Sequence, residues 1–221
     1  MKYFILLLAA GTVFGAEGPR LFYSKSFPGS NPAYVEITVD KTGAVEYREA
    51  AGEDNPLKFR LKDSETAEVF ELADKLGHFN HPLDANLKVA FMGTKTFRWE
   101  NGADKSEVKF NYSQDPSAQA LQDWFEKMAE SAQREIELER TVKYDKLGVV
   151  HALLLLQVSM DKKRIVGAEQ YLPMLDRIIK NESFMHTAQE RAAEIVQAIR
   201  ADQSSAAPTT TTPAPGAPQA Q

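Results

Sequence analysis

The stretch LGHFNHPLD, Leu76 to Asp84, sets His78 and His81 three residues apart, with Asp84 three further on. Imidazoles and a carboxylate this close are the ingredients of a metal centre or a proton-transfer pair. A metal ion needs a third and preferably a fourth donor, and Asp84 is the available third. The backbone works against it. Gly77 ends a helix just before His78, and Pro82 restricts the chain behind His81. The two rings therefore lack the helical i, i+4 spacing by which an HExxH motif turns both imidazoles onto one ion. The stretch reads as the way out of a helix, with Phe79 folding back onto the core. No metal site, cofactor or catalytic residue is assigned.

Other reactive side chains are scattered. His151 lies on an apolar helix beside Leu154 and Leu155, where a lone imidazole serves as a hydrogen-bonded core or boundary residue. His186 falls in the first turn of the last helix. Neither has the serine and aspartate context that assembles a nucleophile. Glu100 and Glu107 flank a hairpin beside Trp99, and two carboxylates across a cleft with an aromatic for sugar stacking are what a glycoside hydrolase requires. Phe97–Trp99 and Phe22–Phe27 place aromatics and cations on adjacent strands, either as a ligand face or as core. The loop FPGSNP, from Phe27 to Pro32, could be presented by an inhibitor to a foreign hydrolase. Glycine runs that cradle phosphate are absent, and with no cysteine the chain can form neither disulfides nor thiolate sites.

The elements that must position these groups follow from periodicity. Alternating apolar residues predict strands over RLFYSKSF, AYVEITV, AVEYREA, LKFRL, LKVAFMG, KTFRWEN and SEVKFNY, with turns at Asp40–Gly43 and Asn101-Gly102. One helix interrupts them, DSETAEVFELADKLG, with Asp63 or Ser64 as its N-cap and Gly77 at its end. Asp115-Pro116 opens a helical half. Leu121, Trp124, Phe125, Met128 and Ala132 share one face, and Arg134–Arg140 follows as a solvated stretch. A helix through Tyr144, Leu147, His151, Leu154, Leu155 and Val158 comes next, then a short one near Pro173. The last, capped by Ser183, turns Ala188, Ala192, Ile195, Val196 and Ile199 inward. Successive helices with short breaks predict an antiparallel bundle.

The two ends differ from the middle. MKYFILLLAAGTVFGAEGPR has one early cation, Lys2, an apolar run, then small residues at Gly15 and Ala16, the layout of a cleaved secretory signal. The run is shorter than the roughly 20 apolar residues of a spanning helix. GVVHALLLLQVSM is also too short to span and is expected to be a buried helix. The Pro-, Thr- and Ala-rich end lacks any hydrophobic period and is expected to be a disordered tail. The net charge of −5 disfavours nucleic acid and anionic lipid as partners of the chain as a whole.

The hairpin and helix entry, PAYVEITVDKTGAVEYREA followed by LKFRLKDSETAEVFELADKLGHF, resemble small exported bacterial domains of uncharacterised function. Gly43, Val45 and Tyr47 match the hairpin of that pattern; Leu61, Ser64, Glu65 and Leu72 match the helix entry. The resemblance covers about Leu21 to Tyr112. It implies an α+β domain in a bacterial envelope and carries no catalytic residue.

The expected architecture is α+β: an antiparallel sheet with one packed helix, then a C-terminal antiparallel helical bundle. Residues 1–16 form the signal peptide, 17–114 the sheet and helix, 115–201 the helical region and 202–221 the tail. A periplasmic or secreted protein that acts by binding, without catalysis, is expected. Its partner would be an envelope protein or a polymer, with no nucleic acid, no cofactor and no membrane span after signal cleavage. A cell-wall hydrolase using the carboxylates near Trp99, or an inhibitor of an exogenous hydrolase, is the competing expectation.

Overall fold

A computed structural model describes residues 18–206. The expected signal peptide, and the expected tail beyond residue 206, lie outside the described residues. Six strands form one antiparallel sheet: β1 (Arg20–Ser26), β2 (Tyr34–Asp40), β3 (Ala44–Arg48), β4 (Leu57–Arg60), β5 (Thr94–Asn101) and β6 (Asp104–Phe110). Their order is β4-β3-β2-β1-β5-β6. Period-two alternation sends one set of side chains to the core. The registers Tyr23↔Ile37, Ile37↔Tyr47 and Tyr23↔Phe97 line up residues that are at most 2% exposed.

Helix α1 (Asp63–Lys75) covers that face with Val69, Phe70, Leu72 and Ala73. Its cap is Lys62, one residue before the expected Asp63: the Glu65 carboxylate accepts the Lys62 N–H at 2.8 Å, which fixes the start of the helix there. Gly43, at φ +80°, closes the β2–β3 turn where a Cβ would stand 2.7 Å from the Thr66 hydroxyl. Helix α2 (Pro116–Tyr144) starts as its sequence predicts, with Asp115 accepting the N–H groups of Ser117 and Ala118. It then runs unbroken through the charged stretch.

The chain divides into two compact units between Ala129 and Glu130, inside α2, whereas the sequence placed the division before that helix. The reason lies in the first half of α2, whose Leu121, Phe125 and Met128 are buried in the first unit. There the Phe125 ring stacks on Tyr23 at 4.8 Å. The second unit comprises the rest of α2 with α3 (Val149–Asp161), α4 (Leu172–Lys180) and α5 (His186–Ala206). Leu138, Leu153, Leu156, Leu175, Ile178 and Ile195 are among its core, and α5 packs on both α3 and α4. Glu130 accepts the Ser159 hydroxyl at 2.7 Å and Arg164 Nε at 3.0 Å, while the Tyr171 hydroxyl donates to the Ser131 carbonyl at 2.6 Å. The protein is an α+β fold with a C-terminal helical region.

Three expectations about the helical half are corrected. α3 buries Val149, Ala152, Leu153 and Leu156; of the stripe read from the sequence, Tyr144, Leu147, His151, Leu154 and Val158 are exposed and only Leu155 is half-buried. A run apolar on every side does not declare which side is inner. Ser183 does not cap α5: the helix starts at His186, where the Met185 carbonyl accepts the Ala188 and Gln189 N–H groups, and Ser183 instead accepts from Lys146. α5 continues to Ala206, through positions 202–206 assigned to the tail.

Candidate functional site

The residues nominated for chemistry go separate ways. His78 adopts φ +53° in the turn after α1, stacks on Trp99 with ring centroids 4.0 Å apart, and pairs through Nε2 with Asp74 at 2.8 Å. His81 is exposed beside Asn80. His151 is exposed on α3, and His186, also exposed, pairs with Glu190 at 3.0 Å. Among the described residues no cluster of three His, Asp or Glu side chains could hold a metal ion.

Trp99 and the carboxylates beside it lie on opposite faces of the sheet. Trp99 is buried against Phe70 and His78, while Glu100 and Glu107 project from the polar face, where the Arg98 guanidinium reaches both at 3.0 and 3.4 Å. Lys105 and Lys109 add a second cation to each. The indole is turned away from any sugar these carboxylates could reach, so the pair lacks the stacking surface that the glycosidase reading requires. Of the two aromatic groups, Tyr23, Phe97 and Trp99 are core, while Phe22 lies on the polar face under Arg98 at 3.8 Å. His81 and Glu107 do line one shallow depression of about 470 Å³, with Pro82, Ser106 and Lys109.

Asp84 leads to a different kind of site. Its Oδ2 accepts the Asn111 N–H and its Oδ1 the Asn86 N–H, each at 2.7 Å, and these bonds hold its carboxyl below the usual carboxylate range. Asp84 thus roots a loop. From Asn86 to Met92 seven consecutive residues are exposed, where a strand was expected over Leu87–Gly93. Asn86 at φ +53° turns the chain out of extended geometry, and the Val89 N–H closes a tight turn onto the Leu87 carbonyl. The alternation of Leu87, Val89 and Phe91 imitates a strand, but the backbone bonds of this segment go elsewhere.

They go to Asn111, just past β6. Its Oδ1 accepts the Met92 N–H at 2.9 Å, its Nδ2 donates to the Ala90 carbonyl at 3.2 Å, and its carbonyl accepts from Lys95 Nζ at 2.7 Å. With its N–H on Asp84, every polar group of Asn111 is engaged in or beneath the loop. Lys95, only 4% exposed, lies opposite Lys25 in the β1–β5 register; burial, then the neighbouring Lys25 charge, pulls its amine below the usual lysine range. Gly93, at φ +92°, brings the loop back into β5 where a Cβ would stand 2.8 Å from that of Phe27. The Phe27 ring meets Phe91 edge-on at 6.1 Å.

The result is an apolar loop fixed by polar bonds in place of burial. Leu87, Val89, Phe91 and Met92 are 49, 43, 57 and 57% exposed. Clustered exposed apolar side chains mark interaction sites, unlike the single exposed leucines of any surface. Sequence reasoning missed this site because it read the run as strand. The available signal was an apolar run between two turn-makers, Asn86 and Gly93, with no carboxylate inside it. No protein-family model matches this chain, and no curated protein matches it.

Proposed function

We propose that the protein is a non-enzymatic binding module of the bacterial cell envelope, exported through its N-terminal signal, and that Leu87–Met92 is its contact element. The observation that carries this reading is the exposure of Leu87, Val89, Phe91 and Met92 on a segment clasped by Asn111. Fully burying such a side chain contributes about 1.5–3 kcal/mol, so covering the exposed halves of four supplies about 3–6 kcal/mol before the costs of association. Preorganisation reduces one of those costs, because side chains on a fixed backbone have less freedom to lose.

A photo-crosslinking residue at Val89 tests the reading in intact cells. It should yield discrete products in the envelope fraction, while the same residue at Tyr144, 75% exposed, should not. Equal diffuse labelling from both positions would contradict it.

A further inference from the structure

Resting on the reading of Leu87–Met92 as the contact element, we infer that the surface it enters is a lipid bilayer, with Leu87, Val89, Phe91 and Met92 inserted to the boundary between headgroups and acyl chains. The shape favours lipid. Seven exposed residues in sequence make a continuous surface segment, and a fluid bilayer receives such a segment without needing a groove cut to match.

The charge distribution favours it too. No Asp or Glu occurs between Asp84 and Glu100, nor between Gly18 and Glu36, although the whole chain carries −5. Lys88 is exposed within the loop, where its long stem lets the ammonium reach headgroups while its neighbours go deeper. The nearest carboxylates are occupied: Asp84 by two backbone N–H groups, Glu126 facing Lys25 at 3.8 Å. Glu49, Glu53 and Asp54 share this end of the sheet, but they sit on the β3–β4 connection, beyond β2. Insertion is therefore confined to the β1–β5 side.

Two backbone groups of the segment already have side-chain partners, which lowers the cost of entering lipid. An amide or carbonyl entering hydrocarbon without a partner costs several kcal/mol, and Asn111 already satisfies the Ala90 carbonyl and the Met92 N–H. Phe91, resting edge-on against Phe27, supplies the largest apolar surface at the tip. Because Lys88 is the one charged residue within Leu87–Met92, attachment should come mainly from apolar burial, and salt should change it little.

Flotation of the chain lacking residues 1–16 with vesicles of phosphatidylethanolamine and phosphatidylglycerol tests this. The protein should rise with the vesicles, with less than about a threefold loss on going from low to physiological salt. Phe91→Ser with Met92→Ser should weaken binding about tenfold or more at unchanged thermal stability. In a Phe91→Trp variant the introduced indole should be quenched by lipids brominated in their acyl chains. Protein left unbound, an unaffected double variant, or an indole untouched by the brominated chains would overturn the inference. Failure with vesicles while crosslinks from Val89 to a protein persist would remove the lipid and leave the contact element; loss of both would remove the two together.

Discussion

Asn111 does with four hydrogen-bonding groups what a neighbouring strand does with a ladder. Its side chain satisfies the Met92 N–H and the Ala90 carbonyl, while its own N–H and carbonyl are held by Asp84 and Lys95. Asn111→Ala removes the two side-chain bonds to Met92 and Ala90 and keeps the backbone pair. We expect a stability loss of about 1–2 kcal/mol and amide exchange at Met92 faster by about tenfold, with the β1–β2 amides unchanged. Uniform acceleration across the sheet would show that Asn111 supports the whole unit and not the loop. Glu135, half-buried on α2 with Oε2 lacking a hydrogen bond, is a second residue with a measurable consequence. Burial, then Glu139, pushes its carboxyl up to about 7 from an ordinary 4.5. A carboxyl raised on folding contributes stability while protonated. That contribution is complete below about pH 4.5, falls as pH climbs through 7, and is absent above. Glu135→Gln should therefore be more stable than wild type by about 1 kcal/mol at about pH 8, after allowance for screening, and equal near pH 4.5. Parallel stability profiles for the two proteins would contradict the assignment.

At the scale of elements, α3 offers the clearest test of which face is inner. Leu153→Ala and Leu156→Ala should each cost about 2–5 kcal/mol in denaturant unfolding, because both side chains are fully buried. Leu154→Ser and Val158→Ser should stay within about 0.5 kcal/mol, as surface changes do. The reverse order would restore the stripe read from the sequence. How far the sequence carried depends on how many arrangements a pattern allows. The alternation in β2 and β3 admits one inner face, so Ile37, Val39, Val45 and Tyr47 were legible as core. GVVHALLLLQVSM admits several, and its face was misread. Leu87–Met92 shows a further limit: alternation reports that a segment could lie in a sheet, while only the topology decides whether a strand remains to pair with it. β5 already has β1 and β6 on its two sides. The candidate site was therefore illegible except for Asp84, whose carboxylate was noticed for a ligand role and serves as the loop's root.

For the whole molecule, what matters is where its reactive groups are not. Imidazoles and carboxylates are distributed among separate local partners: His78 with Asp74, His186 with Glu190, Glu100 and Glu107 with Arg98. Exposed apolar side chains occur on the helical unit too, at Tyr144, Leu147, Leu154 and Val158, but four fall within six consecutive residues at one end of the sheet, in a loop that the fold keeps in place without covering. This division underlies the claim that the protein works by contact and not by bond-making. Its most direct test is the yield of crosslinked product from Val89 in intact cells, compared between two double variants. Glu100→Ala with Glu107→Ala should leave that yield unchanged, whereas Leu87→Ser with Phe91→Ser should reduce it about tenfold or more. A yield lost with the carboxylates and kept without the apolar pair would contradict the account.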